Sequence, residues 1–165
     1  MRPRWRATGA VSLVVWAMLL WRSPLSADTV NVTALPSAVS FAVTNATIAT
    51  TGTPNPSTIS FSGLTVVTGN VLRISIQANA PNFTPPAGTT TIPASNVSWT
   101  TSSAVHGTGY GGTLSNVAPV VVFKSAAGRK VGSVNLTWQL AAPGIAIRAG
   151  SHTLVARWIL ESVVP

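Results

Sequence analysis

Val71-Leu72-Arg73-Ile74-Ser75-Ile76-Gln77-Ala78 decides the fold. Leu72, Ile74, Ile76 and Ala78 recur at every second position, with Arg73, Ser75 and Gln77 between them. A β-strand turns successive side chains to opposite faces, so this alternation makes one oily face and one polar face. Ser133 to Leu140 repeats it, with Val134, Leu136, Trp138 and Leu140 on one side and Asn135, Thr137 and Gln139 on the other. Thr153 to Leu160 is a third copy, placing Leu154, Ala156, Trp158 and Leu160 together. The opposite face of that copy carries Val155, Arg157 and Ile159, which predicts cover on both sides or contact with a partner.

Shorter alternations surround these three. Val39, Phe41 and Val43, then Ile59 and Phe61, then Val97 and Trp99 each predict a strand, and the apolar run Val117 to Phe123 predicts a central one. Turn chemistry falls between them, at Thr51 to Pro56, Gly69-Asn70, Pro143-Gly144 and Ala149-Gly150. Ala127-Gly128-Arg129-Lys130 is expected to close a hairpin between the Val121 and Val134 strands. Pro81 to Pro93, with four prolines, cannot be a central strand. Past residue 27 no segment keeps a 3.6-residue period over a helix's length. These signals predict an all-β fold, a two-sheet antiparallel immunoglobulin-like sandwich.

Residues 1–27 read differently. Arg2, Arg4 and Arg6 precede the apolar run Ala10 to Trp21, and Ser23-Pro24-Leu25-Ser26-Ala27 supplies small residues for cleavage. That layout predicts a signal-peptide helix removed between Ala27 and Asp28, leaving one domain over residues 28–165. The apolar run falls short of the roughly 20 residues of a membrane-spanning helix, so no stable membrane insertion is expected after cleavage. A secreted, periplasmic or cell-surface location follows. Without the leader the net charge of +8 falls to +4, from Arg73, Lys124, Arg129, Lys130, Arg148 and Arg157 against Asp28 and Glu161. Such scattered charge predicts no nucleic-acid partner. The chain has no cysteine, so burial and hydrogen bonding must stabilise the domain.

The chemical inventory points away from catalysis. Paired carboxylates are needed for glycosidase-type chemistry, and Asp28 and Glu161 stand at opposite ends of the mature sequence. His106 and His152 have no evident acidic orienter for a serine triad, and two histidines without cysteine fall short of a zinc site. No enzyme activity, cofactor or metal is therefore expected. Gly107, Gly109 and Gly112 match G-x-G-x-x-G, but no strand-helix context surrounds them, and a flexible loop is expected. Trp138 and Trp158 share parity with the core leucines, and Trp99 shares it with Val97. Trp99 and Tyr110 are the candidate ligand contacts if the protein binds polysaccharide by stacking. Asn31, Asn45, Asn82, Asn96 and Asn135 head N-x-S/T sequons, which fit an exported chain.

Arg148-Ala149-Gly150-Ser151-His152-Thr153-Leu154-Val155-Ala156-Arg157-Trp158 resembles the entry to the last strand in bacterial exported β-sandwich surface subunits, the pilin and spore-coat-U-like proteins. His152 stands where those families often have tyrosine, and the cysteine pair is missing. The resemblance implies subunits that join when a strand of one completes a neighbour's sheet. Thr29 to Leu35, alternating and uncharged, is either such a donor or simply the first strand of its own domain. The expected function is a noncatalytic structural or interaction protein, pilus- or coat-like, that self-assembles by strand pairing or meets another surface protein. The alternative is a carbohydrate-binding module.

Overall fold

The computed structural model describes residues 28–144 and 150–165. The expected leader with Ala27, and Arg148 with its neighbours, lie outside them. Ten strands lie among the described residues: β1 (Thr29–Ala34), β2 (Thr50–Thr51), β3 (Ser57–Thr65), β4 (Val71–Ala78), β5 (Val97–Val105), β6 (Gly107–Gly109), β7 (Gly112–Thr113), β8 (Val120–Ser125), β9 (Gly132–Leu140) and β10 (Ala156–Val163). Sheet I has the order β1-β3-β9-β5-β7, with β2 beside β9 in the lane that β3 occupies further along. Sheet II has the order β10-β4-β8-β6. All pairings are antiparallel. A 3-10 turn, Ala94–Asn96, leads into β5, and among the described residues no helix is long and apolar enough to cross a membrane.

The alternation does the work expected of it. β9 buries Val134, Leu136, Trp138 and Leu140, and β4 buries Leu72, Ile74, Ile76 and Ala78. The two faces meet where the Phe61 ring of sheet I packs edge-on against Phe123 of sheet II, centroids 5.9 Å apart. Burying a side chain such as Phe123 contributes about 1.5–3 kcal/mol, and both Phe123 and its neighbour Val122 are fully enclosed. Two consecutive buried residues are possible because β8 bulges there: Ile74 faces Phe123 while Ser75 faces Val121, leaving Val122 as the extra residue.

From β3 onward each described strand lies in the opposite sheet from the one before it. This corrects the hairpin expected at Ala127 to Lys130. That turn, with Gly128 at φ +71°, carries the chain from β8 in sheet II to β9 in sheet I. Its position is fixed by Leu64 N–H donating to the Lys130 carbonyl at 3.0 Å. Turn residues signal a reversal but not which sheet receives the next strand.

Four further expectations change. Val39 to Val43 is an extended strap whose ladder contact is a single bridge between Ser40 and Thr53, with Val39, Phe41 and Val43 half-buried. The apolar run at Val117 starts too early, because Val117 is 86% exposed and the strand begins at Val120, after Pro119. The last strand begins at Ala156, not Thr153; Thr153 instead bridges Thr84 in the proline-rich segment. The glycine run is not a flexible loop: Gly107–Gly109 is β6 in sheet II and Gly112–Thr113 is β7 in sheet I. A Cβ on Gly107 would run into the Phe123 ring, and one on Gly109 would lie 2.8 Å from Thr101 and Val134. Glycine is needed there for close approach, so that a narrow strand fits against the core.

Candidate functional site

The proposed ligand contacts do not form one surface. Trp99 is 2% exposed, and its ring lies 5.4 Å from that of Trp138, its register partner across β5 and β9. Its indole N–H donates to the Tyr110 carbonyl at 2.8 Å. Tyr110 is 39% exposed beside the glycine strands. The backbone of one candidate thus holds the buried ring of the other, and Trp99 offers no face for a sugar to stack on.

The titratable groups are also placed by the fold. Asp28 comes to the β3–β4 turn, and Glu161 lies in the β10–β4 ladder opposite Arg73. Asp28 accepts the Val67 N–H at 2.9 Å, while Glu161 lies two residues before Val163, which faces Val71 at the start of β4. The Glu161 carboxylate accepts both Arg73 Nη2 at 2.8 Å and Arg73 Nε at 3.1 Å, and both bonds land on Oε2. His106 sits exposed at φ +55°, just after β5, where its carbonyl accepts the Ala126 N–H. His152 is half-buried at an open cavity of about 800 Å³ with mixed lining, Thr44 and Asn45 beside Val43 and Leu140. Among the described residues no three His, Cys, Asp or Glu side chains gather as a metal site would require.

What the fold exposes instead is an edge. β10 pairs in unbroken register with β4, from Ala156 facing Ala78 to Val163 facing Val71. Its other edge has no strand beside it among the described residues. The inward side is only half-covered: Trp158 and Leu160 are half-buried and Ala156 is exposed. Trp158 reaches the core rim, its ring 6.4 Å from Trp138 and its N–H donated to the Pro36 carbonyl at 3.1 Å. An apolar cavity of about 300 Å³ lies under this corner, lined by Leu35, Phe41, Trp138, Leu154 and Trp158 among others. Edge strands present unpaired N–H and C=O groups and are natural places for another strand to join.

The two outer faces differ in chemistry. Sheet II carries Arg73, Lys124, Arg157 and Glu161 in adjacent positions, with Arg73 opposite both Lys124 and Glu161, and Arg157 Nη2 donating to Gln77 Oε1 at 2.8 Å. Sheet I shows only hydroxyls and amides over its middle: Thr100 beside Thr137, Ser102 beside Asn135, and Thr58 beside Asn135. Thr58 donates to Asn135 Oδ1 at 2.9 Å, and Thr33 and Ser60 share a 2.7 Å hydrogen bond. Asn135, one of the sequons, is therefore half-buried in this layer and already bonded.

Sequence reasoning missed the edge, although one signal was available. Arg157 and Glu161, opposite in charge and four apart, share the face of the last strand for which the sequence predicts cover or contact with a partner. The fold defines an all-β protein of two open antiparallel sheets, in which β10 is the longer of the outermost strands of sheet II among the described residues. Compared with protein-family models, with characterised proteins and with solved structures, the chain finds no match.

Proposed function

We propose that this chain is an exported, noncatalytic structural or interaction protein of a bacterial surface or periplasm, an immunoglobulin-like sandwich that joins other subunits by strand pairing. The observation that carries this reading is the outer edge of β10, which has no strand beside it among the described residues. A strand added there gains a full ladder and covers the half-exposed Trp158 and Leu160, so main-chain bonding and apolar burial act together. The acids support a noncatalytic role, since Glu161 is bonded to Arg73 and Asp28 to the Val67 N–H. β1 is engaged with β3 of its own chain, which favours the first-strand reading of Thr29 to Leu35 over the donor reading.

Expression of the whole sequence in a bacterial host, followed by fractionation and N-terminal sequencing, tests the location. A mature product beginning at Asp28 outside the cytoplasm is expected. Full-length protein retained in the cytoplasm would defeat the reading.

A second reading, a polysaccharide-binding module, moves from aromatic stacking to the uncharged face of sheet I. Its hydroxyls and amides suit a neutral, hydroxyl-rich polymer, which charge would not help to recognise. Pull-down on insoluble polysaccharide is expected to weaken for Asn135→Ala with Thr137→Ala and to survive Tyr110→Ala. The reverse outcome returns the site to the aromatic.

A further inference from the structure

We propose that β10 pairs antiparallel with β10 of a second copy of this chain, in the register that sets Ile159 against Ile159 of the other copy. This inference rests on the strand-pairing part of the function proposed above and not on export.

The argument starts from charge. β10 carries Arg157 and Glu161 on its outer face, two positions either side of Ile159. Antiparallel pairing of a strand with itself about Ile159 brings Arg157 of each copy opposite Glu161 of the other, twice by symmetry. Centring on Trp158 or Leu160 instead leaves both charges facing other residues. Opposite charges directly across an antiparallel pair attract, and like charges there repel. The same two charges that block an arbitrary strand from this edge therefore select this strand.

The local geometry leaves room for the contact. Both Arg73 bonds to Glu161 fall on Oε2, so Oε1 is not used by Arg73 and can accept from an arginine of the other copy. Arg157 is exposed, and its side chain is tethered by one nitrogen to Gln77. On the inner face the pairing sets Trp158 of each copy opposite Leu160 of the other, covering side chains that a single copy leaves half-exposed. Two sheets of order β10-β4-β8-β6 then become one eight-stranded sheet with the symmetry of a closed dimer.

The chain has no cysteine, which makes crosslinking a clean test. Residues directly opposite in such a pair have Cβ atoms about 4.5–5.5 Å apart and diagonal neighbours about 7–8 Å, and a disulfide needs the shorter spacing. With the whole sequence expressed and the exported product purified, light scattering over a concentration series is expected to show a dimer. Ile159→Cys should crosslink to itself on mild oxidation, whereas Arg157→Cys and Glu161→Cys should crosslink only when mixed. Arg157→Glu and Glu161→Arg should each weaken the dimer about tenfold, and mixing the two variants should restore it. Circular dichroism of each variant verifies its folding, and the cysteine variants stand as evidence if Glu161→Arg does not fold beside Arg73. A dimer in which Ile159→Cys fails to crosslink overturns this register but leaves strand-mediated assembly standing. Ring or filament growth overturns the symmetric pairing in favour of a donated strand. A monomer throughout, at a correct Asp28 terminus, overturns the pairing and the assembly reading together while leaving the export reading intact.

Discussion

β9 and β10 have nearly the same sequence pattern and very different surroundings. β9, and the segment that runs into β10, each place four apolar residues at alternate positions with a tryptophan third in the series: Val134, Leu136, Trp138 and Leu140 against Leu154, Ala156, Trp158 and Leu160. β9 has β3, β2 and β5 around it and buries its apolar set. β10 has β4 alone and leaves the matching residues half-buried or exposed. Period-two alternation reports which face of a strand is oily. It says nothing about how many strands lie beside it, and lateral neighbours exclude much of the remaining water.

The sharpest way to break this contrast is to truncate the two tryptophans. Trp138→Ala removes a ring enclosed by Trp99 and Trp158, and its N–H bond to Ser57 at 2.7 Å; a loss of about 3–5 kcal/mol in urea unfolding is expected. Trp158→Ala, at the rim, should cost about 1–2 kcal/mol by its partial burial. Equal losses would mean that the last strand is as enclosed as β9.

The two edges of sheet II allow a second comparison. β6 is pressed against Phe123, so Gly107→Ala should destabilise by about 1–3 kcal/mol through overpacking. Ile159→Thr on the open edge, where the side chain is half-buried, should cost less in thermal unfolding, about 1 kcal/mol. A larger effect at Ile159 in a protein held monomeric by dilution would show that something else covers this edge.

The smallest effect is expected at the visible ion pair. Arg73 and Glu161 side chains are 35% and 42% exposed, and their 2.8 Å contact is screened by water. Glu161→Gln should cost about 0–1 kcal/mol in denaturant titration of the monomer. Its effect on association should be the larger one, because the carboxylate there faces a second cation.

Much of the fold is legible in the residues themselves. Strand identity and facing came through at β4, β9, Ile59–Phe61 and Val97–Trp99, because each keeps strict alternation between β-branched or aromatic residues and short polar ones. Expectations failed where the pattern could not encode context. The strap Val39–Val43 alternates as a strand does, yet only Ser40 finds a ladder partner. The glycines at 107, 109 and 112 look permissive in sequence, although Phe123, Thr101 and Trp99 crowd them in space. Trp99 carries a parity that indicates burial, but its bond to the Tyr110 carbonyl depends on β7 folding back beside β5.

The sequence alone determined the all-β class, the buried face of each principal strand and the scarcity of ionisable groups, since these depend on side-chain type and a fixed two-residue repeat. Only the tertiary structure decided which sheet each strand entered, which strands became edges, and that Asp28 reaches the β3–β4 turn while Glu161 pairs with Arg73. Those outcomes depend on the joint packing of segments far apart in the chain, and no local stretch carries the free energy that selects among them.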